Sequence, residues 1–140
     1  MKNTVTTTWE ENMQFESDNP SKHTLTMYDA SADNGDLVGY GPKALMLSSL
    51  AGCSGLDVVS LLKKMRAMVD DFTIEVVGEL TEEHPKHYHT VTVDYHFYGT
   101  DFDEKKINKA VVLSVEKYCG VMEMFRKFAT VKTNIYLHQK

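Results

Sequence analysis

Two cysteines stand in settings that could do chemistry. Cys53 lies among the glycines of SSLAGCSGLDVVSLL, residues 48–62, a stretch that is otherwise nearly all apolar, and Cys119 ends SVEKYC just before Gly120. A free cysteine is most often a small buried hydrophobe. Gly52 and Gly55 point elsewhere, since each costs about 1 kcal/mol relative to alanine inside a helix. Close approach of another group to the backbone is expected there, although glycine in a buried helix also serves helix packing alone. Cys119 falls at a helix end, where unwinding at Gly120 would let it move. A thiol that reacts, and a second that swings to meet it, are the minimum equipment of a two-cysteine redox site.

A reactive Cys53 needs its thiolate stabilised by a cation or a helix N-terminus. It lies about three turns into its helix, too far for much help from the dipole. Asp57, one turn onward, would oppose the anion if it faced the sulfur, and its role stays open between helix packing and the site. The nearest cations before Cys53 are Lys43 and Lys22, the candidates for activating the thiolate. His84, His87 and His89 gather in TEEHPKHYH, but they match no fixed metal-ligand spacing, and a polar hairpin tip explains the composition. No metal site is expected. GYGP at residues 39–42 lacks the spacing and the lysine-serine ending of a phosphate loop. The aromatic and methionine residues mostly read as core.

The elements that must position the thiols follow from periodicity. Short alternating runs at residues 4–9, 13–16 and 23–28 predict a small antiparallel sheet. Asp33-Asn34-Gly35-Asp36 and Gly39-Tyr40-Gly41 form a turn-rich loop, and Pro42 suits a first helical position. The helix it starts is expected to run to about Val69, with Lys63, Lys64 and Arg66 near its C-terminal end. Residues 72–80 and 90–98 alternate and predict two adjacent antiparallel strands. Asp103 would cap a helix over Glu104 to Cys119, which Gly120 interrupts. A short helix over Met122 to Phe128 and a strand over Val131 to Leu137 complete an α+β pattern with no repeated βαβ alternation.

The 140 residues, 42% hydrophobic and 25% charged, fit a single domain over 1–140. A net charge of -5 lacks the basic excess of a nucleic-acid-binding face. The N-terminal MKNTVTTTWEENMQF has no apolar signal region, so a cytoplasmic protein is expected, in which two cysteines do not form a permanent bridge. Residues 44–62 are long enough to cross a bilayer, but Asp57, the glycines and four serines argue for a helix buried in protein. One chain's strands can hardly cover so long an apolar helix. A two-fold homodimer with the long helices packed together is therefore expected.

The stretch PKALMLSSLAGCSGLDVVSLLKKM, followed after two strands by a helix ending SVEKYCGV and a final strand, resembles the OsmC/Ohr family of osmotically inducible and organic-hydroperoxide-resistance proteins. The resemblance runs from MQFESD to the last strand. It implies an intertwined α+β homodimer, with two long central helices buried against each other and two sites at the subunit interface. It also implies a thiol-dependent peroxidase for oxidative-stress defence, in which Cys53 is the peroxidatic and Cys119 the resolving cysteine. The substrate would be a small organic hydroperoxide, and the reductant a dithiol, either a lipoyl group or a small thiol. No metal, haem or flavin is required.

The family's peroxidases carry a glutamate just after the helix-starting proline, where this chain has Lys43 and Ala44. They also use an arginine from the N-terminal strand region, and this chain has none before Arg66. Lys22 or Lys43 would have to supply the positive charge, as a point charge without the planar fork of arginine. The rival expectation is a noncatalytic dimer of the same scaffold that binds a small hydrophobic or electrophilic ligand in its interface pocket.

Overall fold

The computed structural model describes residues 1–29 and 39–140. The expected turn at Asp33 to Asp36 lies outside the described residues. The chain divides into two compact units, Met1–Met46 and Leu47–Lys140.

The first unit holds a three-stranded antiparallel sheet, β1 (Thr7–Glu11), β2 (Gln14–Ser17) and β3 (Leu25–Tyr28), in that order. A tight turn joins β1 to β2, with Asn12 at φ 51° and its carbonyl accepting the Trp9 indole N–H at 2.9 Å. Trp9 faces Phe15 across the pair.

Pro42 opens the long helix α1 (Pro42–Met65), as expected, but the helix stops four residues before Val69. Arg66 adopts φ 58°, its N–H bonds the Lys63 carbonyl, and the Ala67 N–H bonds that of Leu62. This closing pair of bonds satisfies the last carbonyls by a left-handed residue, a device usually built with glycine and invisible to periodicity. By length and composition α1 is long and apolar enough to cross a membrane. Leu50, Ser54, Val58 and Leu62 nevertheless form a buried stripe along it. Each buried Leu or Val there is worth about 1.5–3 kcal/mol.

In the second unit β4 (Asp71–Leu80) pairs antiparallel with β5 (Tyr88–Gly99), as the alternation predicts. The loop between them carries His84 and His87, and His89 is the second residue of β5; His87 Nδ1 meets the Pro85 carbonyl and His89 Nδ1 meets Thr90 Oγ1. Asp103 caps α2 (Glu104–Leu113) by accepting the Lys106 N–H at 3.2 Å.

That helix does not run on to Cys119. It widens into a π-helical turn (Ser114–Tyr118) and ends at Cys119, whose backbone is extended. Helix α3 (Gly120–Arg126) starts at Gly120, so the break belongs to Cys119 rather than to the glycine. The final strand β6 (Thr130–Gln139) lies parallel to β5, giving the order β4-β5-β6. A parallel neighbour requires a long crossover, which α2, the π turn and α3 supply.

The core forms where α1, β5, α2 and α3 meet. Val91, Val93, Tyr95 and Phe97 of β5 share one buried cluster with Leu50, Val58 and Leu62 of α1, Ile107 and Ala110 of α2 and Met122 and Phe125 of α3. The result is the α+β architecture expected, with β5 alternating between buried and half-buried residues as a half-covered strand must.

Candidate active site

Cys53 projects from the middle of α1 and is half-buried; Cys119 is buried, at 4% exposure. Both thiols are free, and Cys53 lies near enough to Cys119 to act on its titration although 66 positions of chain separate their numbers. Burial is the chief influence on Cys119. It pushes the thiol up to about 11 from an ordinary 9.0, opposed by the Met122 N–H and assisted by Cys53 and by the charge of Asp57. Cys119 therefore keeps its proton at neutral pH, while Cys53 is the sulfur more open to an incoming reagent.

The local fold accounts for Cys119. Its N–H bonds the Ser114 carbonyl at 2.8 Å, closing the π turn, and its Sγ accepts the Met122 N–H at 3.3 Å, capping α3. A thiol used as a helix cap satisfies a backbone donor that would otherwise be left without a partner. The cysteine is thus held from both sides, by the element before it and by the one after.

Beside the thiols runs a buried polar chain that the sequence reading did not anticipate. Ser54 Oγ and Tyr95 Oη are 2.6 Å apart, and Ser54 Oγ and Ser114 Oγ 2.8 Å. Ser114 Oγ also lies within donating distance of Asp57 Oδ2, 3.1 Å, and of the Ser54 carbonyl, 3.2 Å. With a carboxylate able only to accept, the hydroxyls can all donate in one direction, Tyr95 to Ser54 to Ser114 to Asp57, leaving none orphaned. Burial raises the Tyr95 phenol above its ordinary value of 10.0, so it stays a donor. A signal was present in the sequence: Ser54 shares the apolar stripe of Leu50, Val58 and Leu62, and Ser114 continues that of Ile107, Ala110 and Val111. Serines at core positions demand partners.

The other expected residues fall elsewhere. Lys43 is exposed in the first turn of α1, and Lys22 is exposed with φ 68° in the segment between β2 and β3. Both belong to the first unit, whereas both thiols belong to the second. Asp57, left open between two roles, is half-buried and linked to Ser114; its neighbours Ser60, Leu61, Lys64 and Tyr118 line a cavity of about 210 Å³ with it. Among the described residues there is no group of three or more side chains suited to a metal ion.

The glycines flanking Cys53 differ. Gly55 has the Ile74 side chain at 3.1 Å from where a Cβ would sit, as close approach predicts. Gly52 has nothing within 4 Å among the described residues. It opens onto an apolar groove of about 400 Å³ lined by Ala51, Leu56, Val59, Phe72 and Ile74.

Comparison with known proteins agrees with this architecture. The chain is 32% identical over 123 residues to Protein YhfA of Escherichia coli K12, which covers 88% of this chain and 89% of that protein. A solved hypothetical protein from Aquifex aeolicus VF5 superposes with a TM-score of 0.87 at 30% identity, over 100% of this chain and 98% of that one. The organic hydroperoxide resistance protein OhrB of Bacillus subtilis shares the fold, with a TM-score of 0.69 at 18% identity over 96% of this chain and 98% of that one. The family model described as OsmC-like protein matches residues 33–134, most of the chain, and the chain belongs to the OsmC-like protein family.

Proposed function

We propose that the chain is a thiol-dependent peroxidase that reduces small organic hydroperoxides with Cys53 and Cys119. The observation that carries this reading is the nearness of a half-buried and a buried thiol drawn from distant parts of the chain. Two packing thiols have no need to meet, whereas a peroxidatic and a resolving cysteine must.

In the first step the Cys53 thiolate attacks the outer oxygen of ROOH. The O–O bond breaks, the alkoxide takes a proton to leave as ROH, and sulfur is oxidised by two electrons to the sulfenic acid. In the second, the Cys119 sulfur attacks Cys53–SOH. The S–O bond breaks as the S–S bond forms, and the thiol proton leaves with the hydroxyl as water. A dithiol then restores both thiols by exchange and is itself oxidised to a disulfide. No bound cofactor enters the sequence.

The working form we propose is a homodimer in the cytoplasm. Leu56 and Val59 of α1 are 76% and 45% exposed and continue the apolar groove at Gly52, and a second copy of the same helix would cover them. A reducing compartment matches thiols that must return to the free state after each turnover.

The test is stoichiometric treatment of the reduced protein with cumene hydroperoxide, followed by thiol counting and peptide mass mapping. The expected result is loss of both thiols and a Cys53 to Cys119 disulfide. Replacing Cys53 by Ser should abolish hydroperoxide consumption, and Cys119→Ser should leave a dimedone-reactive sulfenic acid at position 53. Both thiols surviving treatment would overturn the peroxidase and point to a noncatalytic dimer that binds a small hydrophobic or electrophilic ligand.

A further inference from the structure

Resting on the reading that Cys53 and Cys119 join, we propose that Asp57 and Ser114 are positioning residues, which hold the turn ending in Cys119 against the helix that bears Cys53.

Ser114 is tied twice. Through its main chain it accepts the Cys119 N–H at 2.8 Å, and through its side chain it reaches Ser54 and Asp57 of α1 at 2.8 and 3.1 Å. Ser54 is the residue after Cys53, and Asp57 lies one turn on. A continuous path of bonds therefore joins the two sulfur-bearing backbones, whatever the sulfurs themselves do.

The π turn is what makes this tie matter. Such turns are rare because one residue too many is fitted into the helix, and they persist where surrounding contacts hold them. If Ser114 is released, the turn is free to relax to α-helical spacing. That change would rotate the residues beyond it by about 100° around the helix axis, one residue's worth of an α-helix. Cys119 stands immediately after the turn and would be carried away from Cys53. Asp57 accepts the Ser114 hydroxyl, and the rest of the chain back to Tyr95 keeps Ser54 oriented toward the same atom. The energy that holds the resolving thiol in place is thus drawn from a hydroxyl network with no part in the electron transfer.

The experiment measures how strongly Cys119 competes for Cys53 in the full-length protein. Reduced and disulfide forms are equilibrated against mixtures of reduced and oxidised dithiothreitol, and the fraction of Cys53–Cys119 disulfide is read by mass. Asp57→Ala and Ser114→Ala should each lower the effective concentration of the pair about tenfold, raising the midpoint potential by about 30 mV. Asp57→Asn keeps an oxygen that accepts from Ser114 and should stay within about twofold of the wild type, as should Ser60→Ala from the wall of the same cavity. Near-UV circular dichroism monitors the fold. If Ser114→Ala loses it, Asp57→Ala at its half-buried position still gives the answer.

Wild-type equilibria in both alanine variants would overturn the proposal, as would an Asp57→Asn defect as large as that of Asp57→Ala. Failure of the wild type to form the disulfide at any potential would overturn it too. A wild type that forms the disulfide normally in the dithiol buffer but consumes no hydroperoxide would sink the peroxidase reading and leave the positioning result standing.

Discussion

Ser54 and Tyr95, 41 positions apart, bring their hydroxyls to 2.6 Å in the interior and fasten α1 to the central strand of its sheet. The pair is fully buried, so neither hydroxyl can turn to water instead. Tyr95→Phe removes the donor at the inner end of the chain while leaving Ser54 bonded to Ser114. The expected loss is about 0.5–1.5 kcal/mol of folding stability, read from urea unfolding at unchanged slope. A cost below the error of the measurement would show that the phenol contributes only its ring.

Alkaline pH should weaken the fold through the same region. Burial holds Cys119 up to about 11 from 9.0 and raises Tyr95 as well. Between those values the folded chain keeps a proton that the unfolded chain has released, so unfolding becomes easier with each step of pH. The stabilisation is complete below pH 9 and disappears as pH climbs through about 11. Urea midpoints across this window should fall in the wild type and fall less in Cys119→Ala; parallel curves would count against the assignment.

Gly78 of β4 lies under the ring of Tyr88, and a Cβ there would sit 2.6 Å from two of the ring carbons. Tyr88 is itself buried, so the ring has little room to retreat. Gly78→Ala should cost about 1–3 kcal/mol by overpacking, seen as a lower urea midpoint. Equal stability would mean that the start of β5, where Tyr88 stands, yields easily.

Leu56 is the most exposed leucine of α1, beside the groove at Gly52. Placing a carboxylate there by Leu56→Asp should convert the proposed dimer to monomer in sedimentation velocity, with far-UV circular dichroism unchanged. A dimer that survives this substitution uses another face.

The sequence made legible what short-range chemistry encodes. Pro42 and Asp103 begin their helices where residue preference places them, and the alternation of 72–80 and 90–98 yields β4 and β5 nearly to the residue. Both thiols stood out by their glycine neighbours and by the family motif, and they meet in the fold. What escaped depends on contacts between distant segments or on backbone states that residue type does not advertise. Arg66 ends α1 in a conformation that glycine usually supplies. The π turn depends on Ser114 finding α1, and β6 takes a parallel place that no local pattern distinguishes from an antiparallel one. The hydroxyl network needs Tyr95 and Ser114 to reach Ser54 across long stretches of chain, which no local pattern encodes.

The parallel pairing of β5 with β6 also sets an order of events at the ribosome. Every β6 partner lies forty positions after its mate, as Asn134 does after Asp94, whereas β4 is made before β5 and can pair with it as soon as β5 emerges. For the time taken to synthesise both shorter helices, the nascent hairpin presents one open edge of main-chain donors and acceptors. That interval, rather than the finished protein, is when a neighbouring chain could add itself as a foreign strand, and when a holding chaperone would be of most use.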